Sequence, residues 1–240
     1  MAEIALGAVP GGSERLRGYI ARPEGGGPWP GVVVIHEAYG LDDVMRRQAD
    51  RLAAAGYLAL LPDLYSDGGA LRCVLRTMRT LVAGRGKALV DIEAARQWLM
   101  QQGDCTGRVG IIGFCMGGGF ALLTAGTGFD VASANYALLP RDADAAFADS
   151  CPIVASYGAK EPGATRTARR LERQLSAHGV EHDVKVYSNA GHSFLNDAPT
   201  GPLLLRPLLK VAQFGPEPES AKDAWNRIEE FFAAHLRGET

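Results

Sequence analysis

The sequence predicts an α/β fold, a mainly parallel sheet covered by helices on both faces. Three observations lead there. Short apolar runs rich in β-branched residues recur along the chain, Val32-Val33-Val34-Ile35 being the clearest. These runs do not alternate with polar residues, as expected of strands buried on both faces. Segments with apolar residues at helical spacing separate them, so strand and helix alternate throughout. No linker or internal repeat divides residues 1–240, which reads as one domain.

Taken in order, Arg15 to Ala21 is a short strand after a Gly-rich start, and Gly25-Gly26-Gly27-Pro28 is a turn. Gly31 to His36 is a buried strand. Met45, Ala49 and Leu52 mark a helix that Gly56 ends. Tyr57 to Leu61 is a strand closed by Pro62-Asp63. Two helical segments follow, divided around Gly84-Arg85-Gly86. The first sets Arg72, Arg76 and Arg79 opposite an apolar stripe of Leu75, Met78 and Val82; the second carries Ile92, Ala95 and Leu99 on one face. Val109, Ile111 and Ile112 form the next strand, with a small-residue helix running to Ala125. Strands at Val131 to Tyr136, Pro152 to Tyr157 and Val184 to Tyr187 follow, with a helix marked by Leu171 and Leu175 before the last. Trp225, Ile228, Phe232 and Leu236 share one face of a C-terminal helix. The Leu203-to-Phe214 segment, broken by Pro207, reads as a small lid, an edge-covering helix or an oligomer contact.

Composition excludes several functions. At 47% hydrophobic and 22% charged residues the chain is neither disordered nor fibrous. A net charge of −2 gives no reason to expect nucleic acid or an anionic membrane as partner. No apolar run approaches the roughly 20 residues that span a bilayer. The N-terminus lacks the basic and apolar regions of a signal peptide. Cys73, Cys105, Cys115 and Cys151 are spaced too irregularly for a zinc or redox motif. The expectation is a soluble cytoplasmic protein with reduced thiols, no metal or organic cofactor, and a monomeric or homodimeric state.

The chemistry concentrates at Gly113-Phe114-Cys115-Met116-Gly117-Gly118, directly after the Val109–Ile112 strand. This G-x-C-x-G run reads as a strand, a sharp turn and a helix, with a thiol where α/β-hydrolases carry a nucleophile. The small neighbours leave room for a strained elbow. The following helix N-terminus favours thiolate over thiol. A thiol nucleophile needs a base and a group that orients the base. His192, in Gly191-His192-Ser193-Phe194 after the last strand, is the base candidate. Glu161, after the strand before it, is the acid in nucleophile–acid–histidine order. The other reading of Glu161 is a surface group paired with Lys160 or Arg166. Backbone N–H groups of Ala38 and Met116 would form an oxyanion hole. Glu37, at the mouth of an apolar strand, otherwise caps the helix near Asp42 or faces water.

The chain resembles the dienelactone hydrolase family of α/β-hydrolases over nearly its full length. The resemblance runs through His36-Glu37-Ala38-Tyr39-Gly40, Gly113-Phe114-Cys115-Met116-Gly117-Gly118, Tyr157-Gly158-Ala159-Lys160-Glu161-Pro162 and Ala190-Gly191-His192-Ser193-Phe194. It implies an α/β-hydrolase fold and a Cys115–His192 pair oriented by an acid. It also implies that Glu37 contacts the resting thiol and helps control its ionisation when substrate binds. Two positions depart from the family pattern. The acid is typically aspartate where this chain has Glu161. One of the arginines that bind the substrate carboxylate in the namesake enzymes is replaced by Asn196, which weighs against the dienelactone itself as substrate.

The expectation is therefore hydrolysis of a carboxylic ester or lactone through an acyl-cysteine. A thioesterase or acyltransferase using the same elbow is the alternative within enzymes. A ligand-binding protein that kept the fold without turnover is the alternative outside them. Tyr39, Phe114 and Phe194 are the candidate pocket residues, with Tyr65 and Tyr136 also near. Of the arginines, Arg76 is the candidate to hold an anionic substrate, against a reading of that helix face as simply solvated.

Overall fold

The computed structural model describes residues 1–199, 201 and 213–238. The strands are β1 (Ala2–Gly7), β2 (Leu16–Ala21), β3 (Trp29–Ile35), β4 (Leu58–Pro62), β5 (Cys105–Phe114), β6 (Ala132–Asn135), β7 (Ile153–Gly158) and β8 (His182–Tyr187). The helices, in chain order, are α1 (Asp43–Ala54), α2 (Ala70–Ala83), α3 (Lys87–Met100), α4 (Met116–Thr124), α5 (Ala143–Phe147), α6 (Ala164–Ala177) and α7 (Pro218–Leu236).

The strands form one sheet in the order β1-β2-β4-β3-β5-β6-β7-β8. From β4 to β8 every pairing is parallel, whereas β2 is antiparallel to both β1 and β4. The apolar runs explain the layers. Val33, Ile35, Leu60 and Ile111 point to one face and pack with Ile92, Ala95 and Leu99 of α3, Phe120 of α4 and Leu171 of α6. Their neighbours Val32, Val34, Leu61 and Ile112 point to the other, against Met45 and Leu52 of α1 and Trp225, Ile228 and Phe232 of α7. A strand buried on both faces cannot alternate polar and apolar residues, and these do not.

Strand order reverses at β3, which pairs with β4 on one side and β5 on the other. The crevice beyond the carboxyl ends of strands at such a reversal is where open α/β sheets bind ligands. Glu37 follows β3 and Cys115 follows β5, so both stand there.

The structure differs from the sequence reading in several places. It adds the edge strand β1, whose only half-buried apolar side chains are Ile4 and Leu6, and the short helix α5. On α2 the expected apolar stripe is largely outside, Leu75 being 66% and Val82 42% exposed. The buried side carries Cys73, Thr77, Thr80 and Leu81 instead. These residues share the same helical spacing, and Leu81 meets α4 at Gly119, where an added Cβ would come within 2.9 Å of its side chain. The Leu203-to-Phe214 segment lies outside the described residues apart from Gln213 and Phe214. Among the described residues no helix is long and apolar enough to cross a membrane.

Candidate active site

Cys115 sits between β5 and α4 with φ 56° and ψ −113°, a conformation costly for any residue with a Cβ. The turn closes only because its neighbours lack side chains. A Cβ on Gly113 would lie 2.0 Å from the Gly117 carbonyl oxygen, and one on Gly117 2.2 Å from that of Ile35. Asn135, at the end of β6, fastens the elbow from the side. Its carbonyl accepts the Cys115 N–H at 3.0 Å, and its carboxamide donates to the Gly113 carbonyl at 3.2 Å.

Met116 opens α4, so its N–H has no carbonyl partner within the helix. Tyr65 joins the two proposed oxyanion-hole residues: its hydroxyl donates to the Ala38 carbonyl at 3.0 Å and approaches the Met116 sulfur at 3.7 Å. Burial, then the neighbouring thiols Cys115 and Cys73, hold that phenol protonated far above its ordinary range. His36 braces the same loop. Its Nδ1–H donates to the Glu37 carbonyl at 2.6 Å and its Nε2 accepts from the Leu64 N–H at 3.2 Å. Both nitrogens are thus used by a neutral ring, and complete burial lowers its pKa.

His192 lies on the loop after β8, 8% exposed, with Nδ1 2.9 Å from Glu161 Oε2. Neither atom has another hydrogen-bonding partner, so each serves the other. Burial alone would lower the His192 pKa. Hydrogen bonds to Cys115 and then to Glu161, with the charges of both, outweigh it and raise the pKa to about 10. The imidazole also contacts two rings, Tyr136 at 4.9 Å and Phe214 at 4.6 Å between centroids.

The loops are stitched together at close quarters. The Ala159 N–H donates to Tyr187 and the Lys160 N–H to Ala190, each at 2.9 Å. A Cβ on Gly158 would fall 2.3 Å from the Gly191 carbonyl oxygen, and one on Gly191 1.8 Å from that of Gln213. The Gly215 N–H donates to the His192 carbonyl at 2.9 Å, and the Glu217 N–H to that of Phe194 at 3.2 Å.

Glu37 is neither a helix cap nor a solvated side chain. It is 3% exposed and accepts from Asn196 Nδ2 at 3.1 Å; α1 is capped by Asp42, which accepts the Met45 N–H at 2.9 Å. Tyr136 follows β6 with φ 42°. Burial first, then the charges of Glu37, Cys115 and Glu161, push its phenol pKa well above the usual value. Burial, Glu37 and Cys115 act likewise on the half-exposed Tyr39. These shifts map the neighbourhood: Cys115, Glu37, Tyr39, Tyr136, Glu161 and His192 form one cluster.

Other expected site residues are not in it. Phe114 and Phe194 are fully buried, packed on Tyr136 and, respectively, on Trp225 and Tyr187, so they back the site from beneath. Arg76 lies exposed on α2 with Nη2 3.4 Å from the Cys73 sulfur, and it contributes to none of the shifts just described. Asn135, Asn196 and Phe214 belong to the site and carry no local motif. An open cleft of about 620 Å³ lies at the far end of the sheet, lined by Trp29, Gly56, Arg108 and Arg237. Its arginines already donate to the carbonyls of His235 and Ala55, and it is remote from the thiol. Among the described residues no group of three or more His, Cys, Asp or Glu is arranged to hold a metal ion.

The chain matches the model of the "Dienelactone hydrolase family" over residues 16–236. It is 30% identical to the Escherichia coli K12 protein named "Putative carboxymethylenebutenolidase", over 94% of this chain and 84% of that one. It is also 30% identical to the Bradyrhizobium protein named "Probable 2-oxo-3-(5-oxofuran-2-ylidene)propanoate lactonase", over 95% and 92%. Among solved structures, "m3DLH" superposes with a TM-score of 0.82 at 28% identity over 98% of both chains. A dienelactone hydrolase-like promiscuous phosphotriesterase from metagenomic libraries does so with a TM-score of 0.80 at 25% identity, again over 98% of both. With its parallel sheet, its elbow after β5 and this match across nearly all its length, the chain belongs to the dienelactone hydrolase family and has the α/β-hydrolase fold.

Proposed function

We propose that the protein is a hydrolase that opens a carboxylic ester or lactone through an acyl-cysteine, with Cys115, His192 and Glu161 as nucleophile, base and orienting acid. The observation that carries this is the chain of contacts from the half-buried thiol through the buried His192 to Glu161. Family membership and a relative named as a lactonase agree with it.

Attack on a carbonyl requires the pair in its reactive form, sulfur as thiolate beside the His192 imidazolium. Sulfur attacks the carbonyl carbon, forming the S–C bond while the carbonyl π electrons move to oxygen. The Ala38 and Met116 N–H groups stabilise that oxyanion by a few kcal/mol each, on the order of ~3. As the tetrahedral intermediate collapses, the C–O bond to the alcohol breaks and His192 gives its proton to the departing alkoxide. Acylation removes the negative sulfur, the strongest of the effects that raise the His192 pKa. The histidine is thereby prepared to release its proton at this step. The neutral imidazole then takes a proton from water, whose hydroxide attacks the thioester and restores the thiolate. Glu161 holds the ring in one orientation throughout and stabilises its charged form.

The test is a panel of p-nitrophenyl esters and small lactones with wild type and Cys115→Ala, followed optically and by intact mass. Turnover and a transient acyl adduct in wild type, both lost in the variant, are expected. Full turnover by Cys115→Ala would refute the assignment.

A further inference from the structure

Phe214 belongs to no motif, yet backbone and side chain both tie it to His192. The two residues pair as a parallel bridge, and the next residue, Gly215, donates its N–H to the His192 carbonyl at 2.9 Å. Two backbone features permit that approach. Gln213 takes φ 62°, which is costly for a residue with a Cβ. Gly191 leaves the space into which the Gln213 carbonyl oxygen presses, since a Cβ there would lie 1.8 Å from it. The strap at residues 213–215 and the histidine loop are thus built as one unit.

The side chains continue the contact. The Phe214 and imidazole centroids lie 4.6 Å apart, with their planes 38° apart. Tyr136, 4.9 Å from the imidazole, is 2% exposed and packs from the interior. Phe214 is 37% exposed and therefore stands on the solvent side of the histidine. Close by is a bond that water would loosen. His192 Nδ1 and Glu161 Oε2, 2.9 Å apart, are both shut off from solvent, although the Glu161 side chain as a whole is 27% exposed. A hydrocarbon ring excludes water without offering a group that competes for either atom. Hydrogen bonds between charged partners are stronger in such a dry setting than in water.

Building on the thiol hydrolase reading above, we propose that Phe214 is a positioning residue. Its ring roofs the His192 imidazole, keeps the bond to Glu161 dry, and so holds Nε2 aimed at the sulfur and at the departing alkoxide. The step that depends on this is proton delivery by His192. An alcohol that leaves as a strongly basic alkoxide needs that proton, whereas p-nitrophenol, which departs as a stable anion, needs it little. The roof therefore fits the site to unactivated alkyl esters and lactones.

The first readout needs no turnover. The His192 Nδ1–H, donated to a carboxylate, should give a far-downfield proton resonance, assigned by its loss in His192→Asn, and its exchange with water is timed by NMR. The Nδ1–H of His36, buried and donated to the Glu37 carbonyl, is the internal control for an intact fold. In Phe214→Ala the His192 proton should exchange at least about tenfold faster, with that of His36 unchanged. Phe214→Tyr, which keeps the ring, should restore the slow exchange. The second readout is kcat/KM for the p-nitrophenyl and ethyl esters of one acid. Phe214→Ala should lose at least about tenfold more on the ethyl ester, whereas a fold merely loosened would cost both alike. A wild-type His192 proton exchanging as fast as that of an exposed imidazole overturns the proposal even if Phe214→Ala does not fold. So does a folded Phe214→Ala with wild-type exchange, or with equal loss on the two esters. Slow exchange that depends on Phe214, without hydrolysis of either ester, would remove the hydrolase reading and leave the roof standing. Hydrolysis with an unprotected His192 proton would do the reverse.

Discussion

Shortening Glu161 by one methylene tests whether its length is matched to this loop. Glu161→Asp keeps the charge and withdraws the carboxylate by about one C–C bond, roughly 1.5 Å. The contact with His192 Nδ1, now 2.9 Å, would open to about 4.4 Å if the loop stays in place. The loop has little freedom to follow, because Lys160 and Ala159 are bonded to the carbonyls of Ala190 and Tyr187 and Gly158 already touches Gly191. With an effective dielectric of about 20, the attraction between unit charges falls from ~6 to ~4 kcal/mol over that distance. A loss of ~2 kcal/mol in stabilising the imidazolium corresponds to about 30-fold in kcat/KM. The assay is steady-state hydrolysis of p-nitrophenyl acetate, with Glu161→Gln as the comparison that keeps length and removes charge. Glu161→Gln should lose at least about 100-fold. Wild-type kcat/KM in Glu161→Asp would refute the reasoning, since the acid would then be either unnecessary or free to move.

The remaining predictions concern the elbow, the titration and a structural carboxylate. Gly113→Ala forces a Cβ to within 2.0 Å of a carbonyl oxygen, so the elbow must shift by about 1 Å; turnover should fall about 100-fold and thermal unfolding should show lower stability. In single-turnover acylation, activity should be lost as pH rises through about 10, where His192 gives up its proton. Removing the Glu161 charge takes away part of what raises that pKa, so the alkaline limb of Glu161→Gln should lie at lower pH; an unmoved limb would separate Glu161 from His192. Asp91 is buried and accepts from the Ser13 N–H and hydroxyl, both at 2.7 Å, yet burial still raises its pKa. A carboxyl with a raised folded pKa is a liability once ionised, so this group's contribution to stability falls as pH climbs from its unfolded value through its folded one. Chemical unfolding of wild type and Asp91→Asn between pH 3 and 7, read as the difference between the two, should show that trend.

Much of this site was legible in the sequence, for physical reasons that differ by residue. The elbow announces itself because a turn with Cys115 at φ 56° needs glycine at positions 113 and 117, where a side chain would strike the backbone. His192 and Glu161 were found from strand order, since each opens the loop after a parallel strand. The Glu37–Asn196 contact joins residues 159 apart, and nothing local in either segment reports it. Asn135 reads as an ordinary strand residue until β6 is paired with β5. Direction also defeated the reading of Phe114 and Phe194, which are aromatic and near the proposed catalytic residues but turn inward. On α2, hydrophobicity pointed the wrong way: Cys73, Thr77, Thr80 and Leu81 line the buried side, Leu81 reaching α4 at Gly119, while Leu75 and Val82 stay exposed.

The clamp on the histidine loop sets an order of events during synthesis. The elbow and the acid are complete once the chain has passed residue 161. Yet the histidine loop is held by Gly215 at His192, by Glu217 at Phe194 and by the ring of Phe214 against the imidazole, and α7 then packs Trp225 and Phe232 beneath the same face. A chain emerging from the ribosome from its N-terminus therefore carries the Cys115 thiol without a clamped His192 while residues 116 to 213 are added. On the mechanism proposed above, the sulfur therefore meets its base only when residues 213–236 dock, late in folding.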